Sequence, residues 1–302
     1  QDADFHMLQR RLGSNQSNET ININSGINID KILPSHWGLK IPVSTTFSNS
    51  LSRPKYFPGQ DILVDKSNTP DSILVTSNAI TFTVAASKSS KSDNKLLKYT
   101  IDKMNTRFSV NRRSMSNEIQ KEVLNQTYQG QVGYTLPFGR NNYFMPFKWV
   151  SNVPIIGEKL SKTHLYYSPA TINASMNFSE RLTQKTPRRG EKSPDDYNFG
   201  LNQSYALDYK MTETINTKFN RAIQSNLNDY RGYMSNALKN RDPGVVTNIT
   251  ESFTSSFSPT IMDWLKPTFN YTANYRWNKA RDTSVEGANI GNQLRFSSGI
   301  SL

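Results

Sequence analysis

The chain has 302 residues, about two domains' worth for a soluble protein, yet only 35% are apolar and mean hydropathy is -0.64, too little Leu, Ile and Val for two ordinary cores. Its 14 Tyr, 15 Phe and 4 Trp exclude disorder, which depletes aromatic residues, so folded β structure is expected. The 36 Lys and Arg against 24 Asp and Glu give +12, but they are dispersed, and the densest clusters, Arg112 with Arg113 and Arg188 with Arg189 and Lys192, fall where turns are expected; solvated loops fit them better than a phosphate site, and no nucleic-acid partner is expected.

No run of 18 apolar residues is present, which excludes a transmembrane helix but not a transmembrane strand. Zero cysteines exclude disulfides, thiol nucleophiles and thiolate metal sites. No charged-then-apolar leader stands at Gln1, so a processed or internal start is expected, and Leu302 falls inside an alternating run, so a portion of a longer wall is expected.

Residues 1–19 are taken as a connecting segment and 20–302 as strand-rich. The runs begin with Ile21, Ile23, Ile27 and Ile29, then Leu39, Ile41, Val43 and Phe47. Ile80, Phe82 and Val84 follow, then Met104, Phe108 and Val110, each alternating with Ser, Thr, Asn, Lys or Arg. Tyr128, Val132, Tyr134, Leu136 and Phe138 come next, then Ile172, Ala174, Met176 and Phe178, then Leu201, Tyr205, Leu207, Tyr209 and Met211. Ile215, Phe219 and Ile223, then Ile249, Phe253 and Phe257, lead into the clearest run, Leu265 to Trp277. There Phe269, Tyr271, Tyr275 and Trp277 alternate with Lys266, Asn270, Asn274 and Arg276, and Pro267, which cannot donate to a ladder, is expected near the strand's start. A last run holds Ile290, Leu294, Phe296, Ile300 and Leu302.

About eleven antiparallel strands are therefore expected, joined by long connections at about 53–78, 139–163, 187–198 and 228–245 and a tight hairpin at Met211–Ile215, with short turns on one side of the sheet and long loops on the other. Asp229 to Asn240, ended by Pro243 and Gly244, has room for a turn or two of helix. The polar positions are Asn, Ser and Thr with some Lys and Arg, which suits a water-filled lumen opposite a lipid-facing surface and needs no dry core. The expected class is all-β, a transmembrane barrel wall in a lipid bilayer, since closure satisfies every backbone group in hydrocarbon. Lys266, Asn270, Asn274 and Arg276 are assigned to the lumen and Phe269, Tyr271, Tyr275 and Trp277 to lipid; the swapped assignment is the alternative. Phe144, Phe147, Trp149, Ile155 and Ile156 make the 139–163 connection unusually apolar, which fits either an interfacial loop or a partner-docking or lumen-occluding element.

Chemistry is not encoded in any recognisable local pattern. His6, His36 and His164 lie apart with no ligand spacing, no Gly-x-Ser-x-Gly elbow and no Walker or dinucleotide motif occurs, and Glu191, Asp195 and Asp196 sit in a solvent loop. His164 beside Tyr166 and Tyr167 reads as an interfacial strand residue. No catalytic residue, metal or cofactor is expected.

Trp37-Gly38-Leu39-Lys40-Ile41-Pro42-Val43 and Arg53-Pro54-Lys55-Tyr56-Phe57-Pro58-Gly59-Gln60-Asp61-Ile62-Leu63 resemble the SprA/Sov family of outer-membrane translocons of the type IX secretion system. Lys91 to Leu97, Phe138 to Tyr143, Pro146 to Trp149 and Asp242-Pro243-Gly244 extend the resemblance over nearly the whole chain. It implies a portion of a very large single-chain barrel in the bacterial outer membrane. Folded cargo would leave through it, accessory proteins would gate or plug it, and gliding motility is the associated setting. An outer-membrane porin or nutrient-uptake barrel and a surface β-rich adhesin are the competing expectations.

Overall fold

The computed structural model describes residues 16–57, 62–65, 69–89, 92–152, 157–231, 239–240, 242–259, 265–279 and 286–300. Strands are β1 (Gln16–Asn28), β2 (Leu39–Lys40), β3 (Pro42–Pro54), β4 (Val75–Lys88), β5 (Met104–Ser116), β6 (Gln120–Pro137), β7 (Tyr143–Phe144), β8 (Leu165–Tyr166), β9 (Thr171–Pro187), β10 (Asp196–Lys210), β11 (Ile215–Asn226), β12 (Val245–Phe257), β13 (Leu265–Lys279) and β14 (Glu286–Ile300). Two one-turn helices, α1 (Lys95–Tyr99) and α2 (Gly157–Ser161), lie in connections. The long strands form one sheet in the order β1-β3-β4-β5-β6-β9-β10-β11-β12-β13-β14, with β2 on β4 as its twelfth member, and β7 pairs with β8 separately. Each of the eleven strands on this path holds one of the alternating runs. No described helix is long and apolar enough to cross a membrane. β1 and β14 are the ends of the path, and no pairing between them occurs among the described residues.

Proline marks the strand ends, because it leaves a ladder position without a donor. Pro42 opens β3, while Pro54, Pro137 and Pro187 close β3, β6 and β9. Pro267 is the third residue of β13, outside the β12 ladder, which starts with Phe257 opposite Phe269. Two turns are set by side chains that mimic a backbone acceptor. Asn117 Oδ1 accepts from the Ile119 and Gln120 amides at 2.9 and 2.7 Å, and Thr212 Oγ1 accepts from the Ile215 amide at 3.0 Å.

The chain divides into two compact units. The first comprises Gln1–Ser90, Thr106–Gly130 and Ser179–Phe199. In it Ile23, Phe47 and Ile80 form one cross-strand row and Ile27, Val43 and Val84 another, and antiparallel partners share a face. The intervening positions put Asn22 opposite Ser48, Asn24 opposite Thr46 and Ser50 opposite Ser77 on the other face. The second comprises Lys91–Asn105, Gln131–Phe178 and Gly200–Leu302 and contains β11 to β14 complete. Among the described residues only Ile73, Phe199, Leu201 and Leu227 are buried apolar residues, so apolar side chains lie on a sheet surface rather than in a sealed core.

Several expectations change. Strand begins at Gln16, so residues 16–19 join β1. Arg112 and Arg113 lie within β5, not in a turn; neighbouring strand residues point to opposite faces, which separates their charges, and Arg113 Nε donates to Ser77 Oγ at 3.0 Å. Long and short connections do not segregate by side. In the first unit the 55–74 connection and the 117–119 turn share an end, fastened together by Arg188, and in the second the 138–170 connection packs on the Met211–Thr214 hairpin. In the 228–245 connection, Asn228–Tyr230 is a 3-10 turn, and residues 232–238 lie outside the described residues.

Candidate functional site

The register from β10 to β14 sorts the second unit into two chemically different faces. Leu207, Phe219, Phe253, Ala273 and Asn292 follow one another across five strands, and Thr217, Ser255, Tyr271 and Leu294 make the next row. A third row joins Ile215, Phe257, Phe269 and Phe296, with ring centroids 5.9 Å apart for Phe257–Phe269 and 4.8 Å for Phe269–Phe296. One position along, every partner is polar or small: Ala206, Asn220, Ser252, Asn274 and Gly291 form one row, and Ser204, Ala222, Thr250, Arg276 and Asn289 another. Phe269, Tyr271, Tyr275 and Trp277 thus share the first face and Lys266, Asn270, Asn274 and Arg276 the second.

Small side chains leave the polar face hollow. A shallow cavity of ≈ 290 Å³ is lined by Ser204, Asn220, Thr250, Ser252, Asn274 and Arg276, among others. Another of ≈ 200 Å³ reaches Asn105, Gln131, Gly133, Thr135 and Asn173 and shares Ser204. A Cβ on Gly133 would come within 2.5 Å of Asn105 Oδ1, so glycine there lets β5's side chain lie flat against β6. Asn, Ser and Thr side chains give these hollows hydrogen-bonding groups, and the larger one also touches Arg221, Glu251 and Arg276.

The apolar face has one charged exception at mid-strand. Arg221 on β11 stands opposite Glu251 on β12, with Nε 3.4 Å from Oε1, and Tyr205 and Tyr275 flank the pair. The Nε itself is buried without a hydrogen-bond partner, so the contact is one of charge rather than aligned geometry. Facing across two strands, the opposite charges offset part of each other's desolvation cost.

At one end of the second unit, tyrosines near the strand ends hold the connections. Tyr134 of β6 donates to the Tyr99 carbonyl at 2.7 Å, and Tyr209 of β10 to the Tyr166 carbonyl at 2.8 Å. Glu213 completes the second attachment. Its Oε1 lies 2.5 Å from His164 Nδ1, its Oε2 accepts from the His164 amide at 3.2 Å, and Tyr143 stacks edge-on against the His164 ring at 4.1 Å. Burial pushes the Glu213 carboxyl up, but its own backbone amide and the hydrogen bonds and charge of His164 outweigh that and leave it below the ordinary carboxylate value. Burial, and then the Glu213 carboxylate, push the Tyr166 phenol up. His164 is therefore a clasp in a connection rather than a strand residue; its partner lies 49 residues away in sequence, beyond any local spacing rule.

Beyond this clasp the 138–170 connection leaves Phe144, Phe147 and Trp149 exposed, Trp149 at 80%; Ile155 and Ile156 lie outside the described residues. Sequence reasoning also missed Arg188. Its Nε donates to the Asn117 carbonyl at 2.8 Å, and its Nη2 to the Asp71 carbonyl at 2.9 Å and Ser116 Oγ at 3.0 Å, so this planar fork ties its own stretch to two others of the first unit. No protein-family model matches the sequence, and no curated protein matches it either.

Proposed function

We propose that this chain is part of the wall of a membrane-spanning β-barrel in a bacterial outer membrane, and that the barrel is a protein-conducting channel of the SprA/Sov type. The observation that carries the membrane reading is the division of registered rows into an apolar face of half-buried and exposed side chains and an Asn, Ser and Thr face. With no sealed core in the described sheet, exposed Ile, Phe and Leu rows call for an apolar medium, and lipid supplies one. The strands β1 and β14 would pair onward in the intact barrel, since an open edge is not tolerated in hydrocarbon.

The hollow polar face suits a hydrated lumen. Its Asn, Ser and Thr side chains bind water as readily as cargo, so a folded protein keeps its hydration while passing, and Lys266, Arg276 and Arg295 add positive charge without a fixed binding geometry. Phe269, Tyr271, Tyr275 and Trp277 anchor the wall in lipid. Secretion rather than solute uptake is supported by the resemblance at Trp37 to Val43 and Arg53 to Leu63, and the role needs no catalytic residue or cofactor. Cargo selection and gating then belong to loops and accessory partners.

Disruption of the gene in its own bacterium tests the reading. The expected outcome is loss of secreted proteins from the medium with small-solute uptake retained. Unchanged export together with lost uptake would overturn the translocon and favour a porin. Recovery of the protein in the aqueous phase after detergent extraction would overturn the membrane wall and favour an adhesin.

A further inference from the structure

We infer that residues 92–103 together with 138–152 and 157–170 form a collar that binds the anionic, phosphate-bearing surface of the membrane. The inference rests on the membrane reading above and adds to it a contact surface and its ligand chemistry. Both connections are tied to strand ends by a tyrosine hydroxyl, Tyr134 of β6 to the Tyr99 carbonyl and Tyr209 of β10, on the apolar face, to the Tyr166 carbonyl. They therefore sit at the rim of the surface that would meet lipid, where the hydrocarbon gives way to headgroups. Their exposed side chains have the two properties that zone selects. Leu96 at 76% and Trp149 at 80% exposure are apolar, with Phe144 and Tyr99 also exposed. Tryptophan and tyrosine beside lysine are the usual occupants of the headgroup layer, where a ring is half-wetted and an ammonium meets phosphate.

Charge separates this partner from a neutral one. These stretches carry seven Lys and Arg against three acids. Glu158 pairs with Lys162 at 2.6 Å, which takes one of each sign from the count, and Asp102 accepts from Ser92 Oγ at 2.9 Å, so six cations stand against two acids. Lys98 lies over the Tyr99 ring at 5.9 Å, which places ammonium and aromatic side by side. Each lysine near an anionic bilayer surface is worth about fivefold in affinity.

Because the chain has no cysteine, single variants L96C and W149C each carry one polarity-sensitive fluorophore, with L294C reporting the apolar face and N274C the polar face. The protein is reconstituted into phosphatidylcholine vesicles with and without phosphatidylglycerol, and each label is challenged with aqueous acrylamide. The collar labels are expected to be shielded as L294C is when phosphatidylglycerol is present, and to become several-fold more quenchable in its absence or in a K95Q/K98Q/K148Q background. Collar labels as open as N274C in both vesicles, with L294C shielded, would overturn the collar and leave the membrane wall standing. An L294C label open in both would overturn the membrane reading, and the collar with it.

Discussion

Replacing Tyr271 by arginine, with Thr272→Arg as its neighbour on the other face, tests the two-faced wall directly. Tyr271 lies midway between Leu265 and Trp277 on β13, opposite Ser255 and Leu294, and its ring meets Phe253 at 6.2 Å in an edge-on contact. An arginine at the midplane of a lipid-facing barrel surface costs about 2–4 kcal/mol. Loss of the aromatic contact adds about 0.5–1.5 kcal/mol, giving about 2.5–5.5 kcal/mol for Y271R. Thr272 faces Thr254 and Gln293 among uncharged polar side chains, so T272R should stay within about 0.5 kcal/mol of the parent. Equilibrium denaturant unfolding of the protein in phospholipid vesicles, followed by tryptophan fluorescence, gives both values. Two variants within about 1 kcal/mol of each other would refute the lipid-facing argument, whereas T272R as the costlier one would invert the assignment of lumen and lipid.

Glu213 should make the loop clasp sensitive to acid. Its folded value is lowered, so its stabilisation is complete above the ordinary carboxylate range and lost as pH falls from that range through the lowered folded value. Amide exchange at Tyr166 and Ala170, corrected for intrinsic rates, should accelerate on acidification in the parent; E213Q should be about fivefold faster at neutral pH, about 1 kcal/mol for charged hydrogen bonds that are partly exposed, and should lose most of the acid dependence. Arg188→Ala should free the 69–74 stretch to limited proteolysis, with about 1–3 kcal/mol of local stability lost, and Arg188→Lys should recover little because an ammonium cannot span the same three acceptors.

The parts of this fold that follow from local repetition could be read from the chain, and those that depend on register could not. Each alternating run became one strand because side-chain direction in a strand has a period of two, a property each segment carries by itself. Strand ends were less visible. β4 extends from Val75 to Lys88 around the short apolar run Ile80 to Val84, since its outer positions are Ser, Thr, Ala and Asn, which serve equally in strands and turns. The Arg112–Arg113 pair looked like a turn because adjacent charges suggest solvent, but in an extended chain they point apart. Glu213 with His164, Arg188 with Asp71 and Arg221 with Glu251 join residues 49, 117 and 30 positions apart, and only the hydrogen-bonded registers bring them together.

Strand length and charge placement constrain the membrane reading further than composition alone. Leu265 and Trp277 bound the aromatic stretch of β13, and at about 3.4 Å per residue they lie about 41 Å apart along the strand. A tilt of about 40° reduces that to about 31 Å along the membrane normal, enough to cover an apolar band about 25 Å tall with its aromatic ends in the headgroup zones. Arg221 is six residues from Ile215, about 20 Å along β11, and by the same tilt about 15 Å below the Phe257–Phe269–Phe296 row. On β13 that row starts four residues inside Leu265, and the pair's row reaches Tyr275, two residues short of Trp277, so under the membrane reading the pair lies toward the Trp277 end of the span, about 5 Å from it along the normal. A facing pair between two tyrosines at that depth lets each charge offset the other's desolvation while both stay within reach of the headgroup zone, as the membrane reading expects.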